Sequence, residues 1–230
     1  MEQSASTNES LKRRAYEQLQ QDIIDGTLPP GEKLTIQKLT TRYEMGASPI
    51  REALSQLSSD GLVNSTEGRG FRVAHASREE FSDLLRVRLW IEGQALAESI
   101  AKGGSDWEDA VLTSTFRLSK CPRSIRDDRF EPNPEWEEKH KRFHMVLLSG
   151  ANSPIASRMC SQLYDQNVRY RSLAGSSAYP GRSVNDEHDE IAKAALDRDA
   201  ARAVMLLTRH YTETAQYLRD QIPEADDPRS

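Results

Sequence analysis

Four short stretches decide the fold of the first third of this chain. They are Pro29-Pro30-Gly31-Glu32-Lys33-Leu34, Ser48-Pro49-Ile50-Arg51-Glu52-Ala53-Leu54, Gly61-Leu62-Val63 and Gly68-Arg69-Gly70-Phe71-Arg72-Val73. Upstream, Leu11, Ala15, Leu19 and Ile23 recur at four-residue steps, which predicts an amphipathic helix over 10–25. Gly26 ends it and Pro29-Pro30-Gly31 makes the turn that follows. Thr35 can cap a second, short helix running to Tyr43. Ser48 can cap a third, with Pro49 at its first helical position, where a missing N–H costs nothing. Leu54 and Leu57 would face inward, and Gly61 would close the helix. Leu62-Val63 and Phe71-Arg72-Val73 read as short strands around a Gly68-Arg69-Gly70 turn.

Three helices followed by a glycine-tipped hairpin suit the major groove of DNA, with the hairpin laid alongside as a wing. The start of the third helix offers free N–H groups and the positive end of a dipole, both matched to phosphate. Ser48 can donate to a phosphate, and Arg51, one turn in, can reach a phosphate or a guanine edge. Gln37, Lys38 and Arg42 on the second helix, with Arg69 and Gly70 at the wing, complete the expected DNA-contact set. The competing readings are a salt bridge for Arg51 and a merely solvated surface for Lys38 and Arg42.

The formal net charge is −5, which argues against bulk attraction to nucleic acid. Residues 33–72 nevertheless hold six basic against four acidic side chains, so a DNA face must be a local patch. No run of apolar residues is long enough to span a membrane. The N-terminus is polar and unlike a secretory signal. Cys121 and Cys160 lie far apart without metal or redox spacing, which fits a reducing cytoplasm.

The expected organisation is a disordered start over 1–9, a winged helix-turn-helix over 10–76, a helical domain over 77–222 and a loose tail over 223–230. Ser77 with Glu80 makes a capping box that opens the second domain. Helices are predicted over about 78–102, 105–120, 133–149, 153–172, 183–197 and 199–220, with loops at Pro122–Pro134 and Gly175–Gly181. The fold class is mainly α, with a β-hairpin wing and a C-terminal bundle of about six helices.

Four of the five histidines fall where helices could gather them. His140 and His144 are four apart on one helix and share a face. His188 and His210 are equidistant from the turn implied by Leu196-Asp197-Arg198-Asp199, so an antiparallel pair would set them level. Clustered imidazoles suit zinc, nickel, copper or iron, although an isolated i,i+4 pair is as readily structural. His75, in the linker, reads as a surface residue. Arg88 lies on the apolar face of the helix over 78–102, among Phe81, Leu84, Leu85, Ile91 and Ala95. A buried guanidinium needs a partner. Glu92 could serve structurally; a bound carboxylate could serve functionally. Arg169 and Arg171 are further candidates for the same effector pocket.

Over about residues 10–220 the chain resembles the GntR family of bacterial regulators, in its FadR-like branch with a C-terminal FCD domain. The resemblance rests on the Pro-Gly turn, the Ser-Pro-Ile-Arg-Glu-Ala-Leu helix, the wing, and an Arg-x-x-x-Glu at Arg88 and Glu92. It implies a homodimeric repressor on a palindromic operator, relieved by a small carboxylate. Many members carry arginine where Ala47 stands, so a base contact commonly made there is absent. Many FCD domains hold a metal through an Asp-x-x-x-His motif and two later histidines. Here the motif is His140-Lys141-Arg142-Phe143-His144, so His140 takes the Asp position and His144, His188 and His210 match the rest. Four neutral ligands favour softer late metals. Trp136, His140, Phe143 and His144 together with Arg169-Tyr170-Arg171 are most similar to a carbon-starvation-induced repressor, which implies a dicarboxylate such as glutarate. Rival readings are a metal-dependent enzyme built on the four histidines and a regulator that senses the metal itself.

Overall fold

A computed structural model describes residues 2–66, 70–174 and 184–222. The element order is α1 (Glu2–Ile24), β1 (Lys33–Leu34), α2 (Ile36–Tyr43), α3 (Ala47–Ser59), β2 (Val63–Thr66), β3 (Gly70–Val73), α4 (Arg78–Lys102), α5 (Ser105–Ser119), α6 (Pro134–Ser149), α7 (Pro154–Ala174), α8 (Val184–Leu196) and α9 (Ala200–Arg219). The chain forms two compact units. Among the described residues, one comprises those of 2–77 with Asp165–Leu173, and the other comprises Arg78–Tyr164 with Ala174 and 184–222.

In the first unit, Ala15, Leu19 and Ile23 of α1 pack with Leu39 of α2, Ile50, Leu54 and Leu57 of α3, and Val63 and Val73 of the sheet. Leu11, expected on this stripe, is 36% exposed, because the core closes one turn further along α1. The helix itself begins at Glu2, well before residue 10, since no glycine or proline interrupts 2–24. The third helix departs from its expected cap. Gly46 is the N-cap, with no side-chain bond, and the helix starts at Ala47. Pro49 is therefore its third residue, where the N–H would still lack an intrahelical acceptor, and Ser48 Oγ donates instead to Glu52 Oε1 at 3.0 Å. Thr35 sits at the N-cap of α2 but makes no capping bond.

The C-terminus of α3 follows the glycine rule. Gly61 has φ +76°, its N–H donates to Ser58 O, and Leu62 N–H donates to Leu57 O, the paired bonds of a Schellman motif. β2 and β3 pair antiparallel, Val63 with Val73 and Thr66 with Gly70. A third strand escapes the sequence reading: β1 pairs with β3 on its other edge, Lys33 with Arg72 and Leu34 with Phe71, giving the order β1-β3-β2. Two residues are too few to carry an alternating pattern. Gly68 and Arg69, the expected 175–181 loop and the tail lie outside the described residues.

In the second unit, Leu96, Trp107, Val111, Leu118, Trp136, Phe143, Leu147, Ile191, Ala195, Ala203 and Leu207 form one apolar cluster. Asn133 caps α6 by accepting from Glu135 N–H, with Pro134 at the first helical position. α4 and α6 approach closely near their C-termini: a Cβ on Gly150 would stand 2.6 Å from Ser99 O, so only glycine fits. Asp199 caps α9 through Arg202 N–H, and Arg198 makes the preceding turn with φ +61°. That turn stands where the sequence places it and folds α8 back on α9.

Candidate functional site

Two surfaces of different character carry the candidate chemistry. In the first unit Gln37, Lys38, Arg42, Ser48, Arg51 and Gly70 are all exposed. Arg42 is committed to α1, its Nη2 lying 2.7 Å from Asp22 Oδ2. The same carboxylate accepts from Tyr43 Oη at 2.6 Å. Glu52, the acidic neighbour of Arg51, is taken by Lys12 Nζ at 2.5 Å and by Ser48. Those two donors hold its carboxyl below the usual range. Among the described residues Arg51 and Lys38 make no hydrogen bond or ion pair, so both keep their donors for an outside partner. Arg72, also exposed, donates to Gly31 O.

The four histidines meet in the second unit. His140 and His144 come from α6, His188 from α8 and His210 from α9, and one ring nitrogen of each lies within 4.8 Å of the others. All four are buried. His140 Nε2 stands 3.1 Å from His188 Nε2 and 3.0 Å from His144 Nε2. Burial, reinforced by the neighbouring imidazoles and Arg88, holds His144 well below its ordinary pKa, so its ring is neutral. Ligands about 2.0–2.1 Å from a tetrahedral ion would stand roughly 3.3 Å apart. Two of the pairs stand close to that spacing, and four imidazoles are a donor set that late divalent metals favour, so the cluster fits such an ion.

Around the rings lies a second set of polar groups. Tyr164 Oη is 2.7 Å from His140 Nδ1 and donates to Glu137 Oε1 at 2.5 Å. Tyr211 Oη is 3.1 Å from His144 Nδ1 and donates to Glu92 Oε2 at 2.5 Å. His210 Nδ1 is 2.8 Å from Glu187 Oε2. Trp136 stacks on His140, with centroids 4.4 Å apart. Sequence patterning did not single out Tyr164, Tyr211, Glu137 or Glu187, because no periodicity marks a contact between helices. Only the adjacency of Tyr211 to His210 and of Glu187 to His188 could have hinted at two of them.

Arg88 is buried beside this network. Its Nε donates to Glu92 Oε1 at 2.6 Å, and its guanidinium lies 4.0 Å from the centre of the Tyr211 ring. Burial opposes its charge, but Glu92 and Tyr211 outweigh that and hold it protonated. Glu92 is fully buried as well. Cys160 is buried close to this pair, and desolvation, with Glu92 adding to it, pushes its thiol up to about 12. The structure thus brings Arg88 and the four histidines together. It places Arg169 and Arg171, both buried, in the first unit, where Arg169 Nη2 donates to Ala74 O at the end of the wing.

A profile of bacterial regulatory proteins of the gntR family matches residues 11–73, and the FCD domain profile matches residues 83–213. The chain belongs to the GntR family of bacterial regulators. Its helical domain is an FCD domain. Among curated relatives, an uncharacterized HTH-type transcriptional regulator BphR of Paraburkholderia xenovorans (strain LB400) is 35% identical, covering 91% of this chain and 86% of its own. The HTH-type transcriptional repressor GlaR of Escherichia coli (strain K12) is 35% identical over 85% of this chain and 90% of its own. Among solved structures, E. coli McbR/YncC superposes with a TM-score of 0.75 at 18% identity, covering 92% of this chain and 98% of its own. A GntR regulator from Rhodococcus sp. RHA1 gives 0.70 at 20%, covering 91% and 97%. At those identities the likeness concerns the fold. No described helix is long and apolar enough to cross a membrane.

Proposed function

We propose that this regulator is a homodimeric, cytoplasmic repressor. Its winged helix reads a palindromic operator through Arg51, with Gln37, Lys38, Arg42, Ser48, Arg69 and Gly70 as the further expected contacts. Its FCD domain holds a divalent metal, zinc, nickel, copper or iron, through His140, His144, His188 and His210, and binds a small carboxylate beside Arg88. The observation that carries the reading is the buried convergence of four imidazoles in a domain that also buries the Arg88–Glu92 pair. A metal bound there would attract a carboxylate electrostatically. The guanidinium of Arg88 would orient that carboxylate by charge-assisted hydrogen bonds. Resemblance to the carbon-starvation-induced repressor CsiR, and similarity to a relative named as a repressor, point to repression relieved by a dicarboxylate such as glutarate.

The effector acts only to the extent that it binds the DNA-competent and DNA-released states unequally. The test starts from the full chain, with an operator selected from random duplexes. Metal-loaded protein is then titrated onto that operator with and without glutarate and other small carboxylates. Weakened operator binding in one of them supports the reading. Operator affinity indifferent to every carboxylate, but abolished or restored by chelator, would instead favour a metal sensor.

A further inference from the structure

We infer that Tyr164 and Tyr211 are positioning residues that, with Glu187, lock three of the histidines as Nδ1–H tautomers and so aim their Nε2 lone pairs at one point. The inference rests on the metal-centre reading above and deepens it. A neutral imidazole carries one proton, and the partner of one nitrogen fixes which nitrogen holds it. Each of the three chains ends on a carboxylate, which can only accept.

Tyr211 has one hydroxyl proton, and Glu92 Oε2 receives it at 2.5 Å. The Tyr211 oxygen is then an acceptor toward His144 Nδ1 at 3.1 Å, so that nitrogen carries the proton. The same logic runs from Glu137 through Tyr164, at 2.5 Å and then 2.7 Å, to His140 Nδ1. In the third chain Glu187 Oε2 accepts directly from His210 Nδ1 at 2.8 Å. The stacked Trp136 ring, 20° from coplanar, restrains the His140 plane.

This assignment has a consequence for the 3.0 Å approach of His140 Nε2 to His144 Nε2. With both protons on Nδ1, no hydrogen lies between the two Nε2 atoms. Two lone pairs face each other, an arrangement that only an electron-pair acceptor stabilises. The hydroxyls therefore set the direction of the ligands, and their carboxylate partners raise ligand basicity. Arg88 enters the same scheme indirectly, because it fixes the Glu92 carboxylate on which the Tyr211 chain ends.

The experiment uses Co(II) as the probe on the full chain, as wild type, Tyr164→Phe, Tyr211→Phe, Glu187→Leu and Glu187→Gln. Tyr43→Phe, which removes a comparable Tyr–carboxylate bond in the first unit, is the control. Co(II) affinity is measured by competition with a chromophoric chelator, and ligand geometry by the visible d–d spectrum. Imidazole 15N shifts of the Zn(II)-loaded protein report which nitrogen bears the proton. The expected result is about 10- to 100-fold weaker Co(II) binding with an altered spectrum in Tyr164→Phe, Tyr211→Phe and Glu187→Leu. Glu187→Gln, which keeps an acceptor oxygen, should recover most of the affinity, and Tyr43→Phe should match wild type. Phenylalanine variants with wild-type affinity, spectrum and 15N pattern would overturn the positioning role while leaving the metal centre standing. Wild-type protein that binds neither Co(II) nor Zn(II) would overturn the metal reading, and the positioning role with it.

Discussion

The two units of this regulator bury opposite things. The first has an apolar core built from α1, α2, α3 and the sheet, and presents its candidate DNA contacts outside, with Arg51 and Lys38 making no hydrogen bond or ion pair among the described residues. The second places its chemistry within its core: four histidines, Arg88, Glu92 and Tyr211 are buried next to the apolar cluster. The difference follows from ligand size. A duplex must be met on a surface, whereas an ion or a small acid can be enclosed, and enclosure strengthens every charge interaction that holds it.

Substitutions should break this contrast unequally. The largest effect belongs to His144→Ala and His188→Ala, each of which removes one donor from a site that needs about four. Metal content by elemental analysis should fall well below one per chain in both, and His75→Ala should leave it unchanged. Full occupancy in either variant would dissolve the constellation.

Next comes Arg88→Ala. It strands Glu92 as a buried carboxylate without its cation, and loss of one member of a buried pair costs about 3–5 kcal/mol. Urea unfolding should register that loss. The variant, where folded, should still bind operator but no longer respond to the carboxylate. Calorimetry giving an unchanged dissociation constant for the effector would reduce Arg88 to a structural role.

Arg51→Ala should be gentler on the protein and specific in its consequence. One lost base or phosphate contact is worth about 1–3 kcal/mol, roughly 5- to 150-fold in operator affinity. Dimer and metal content should not change. Unaltered affinity at physiological salt would show that α3 docks otherwise than proposed.

The smallest effect is a negative one. Cys160 has its thiol pushed up to about 12, because burial beside Glu92 disfavours the thiolate. Raising pH creates thiolate only as it nears that value, so at pH 8 roughly one thiol in 10,000 is ionised. A thiol reagent at pH 8 should leave Cys160 unmodified in folded protein and label it once urea unfolds the chain.

The contrast also governs how much could be read in the chain. Every helix of the second unit was legible, because no strand pattern interrupts the helical one and because the prolines of 122–134 and the turn at 196–199 mark breaks. The histidine site was legible for a different reason. Two of its members are four apart on one helix and the other two are equidistant from the Arg198 turn, so helix geometry aligns each pair, while the expectation that the pairs meet drew on the family resemblance as well. Tyr164, Glu137 and Glu187 were not visible, because they meet the histidines across helix faces whose rotation only packing decides. In the first unit the errors were local. Gly46 took the cap assigned to Ser48, and β1 was too short to leave a signature.

That short strand has a consequence of its own. Gly31 N–H donates to Val73 O at 3.0 Å, and Val73 N–H returns a bond to Glu32 O at 2.9 Å. The chain from Gly31 to Val73 is therefore a closed ring, clasped where it begins and where it ends, with α2 and α3 strung along its circumference. Amide hydrogen exchange should find the two clasp amides of Gly31 and Val73 protected to the same degree and lost together, and a substitution that loosens the Pro29-Pro30-Gly31 bend should be felt at the far side of the ring, on α3, as a change in how firmly the reading helix is presented.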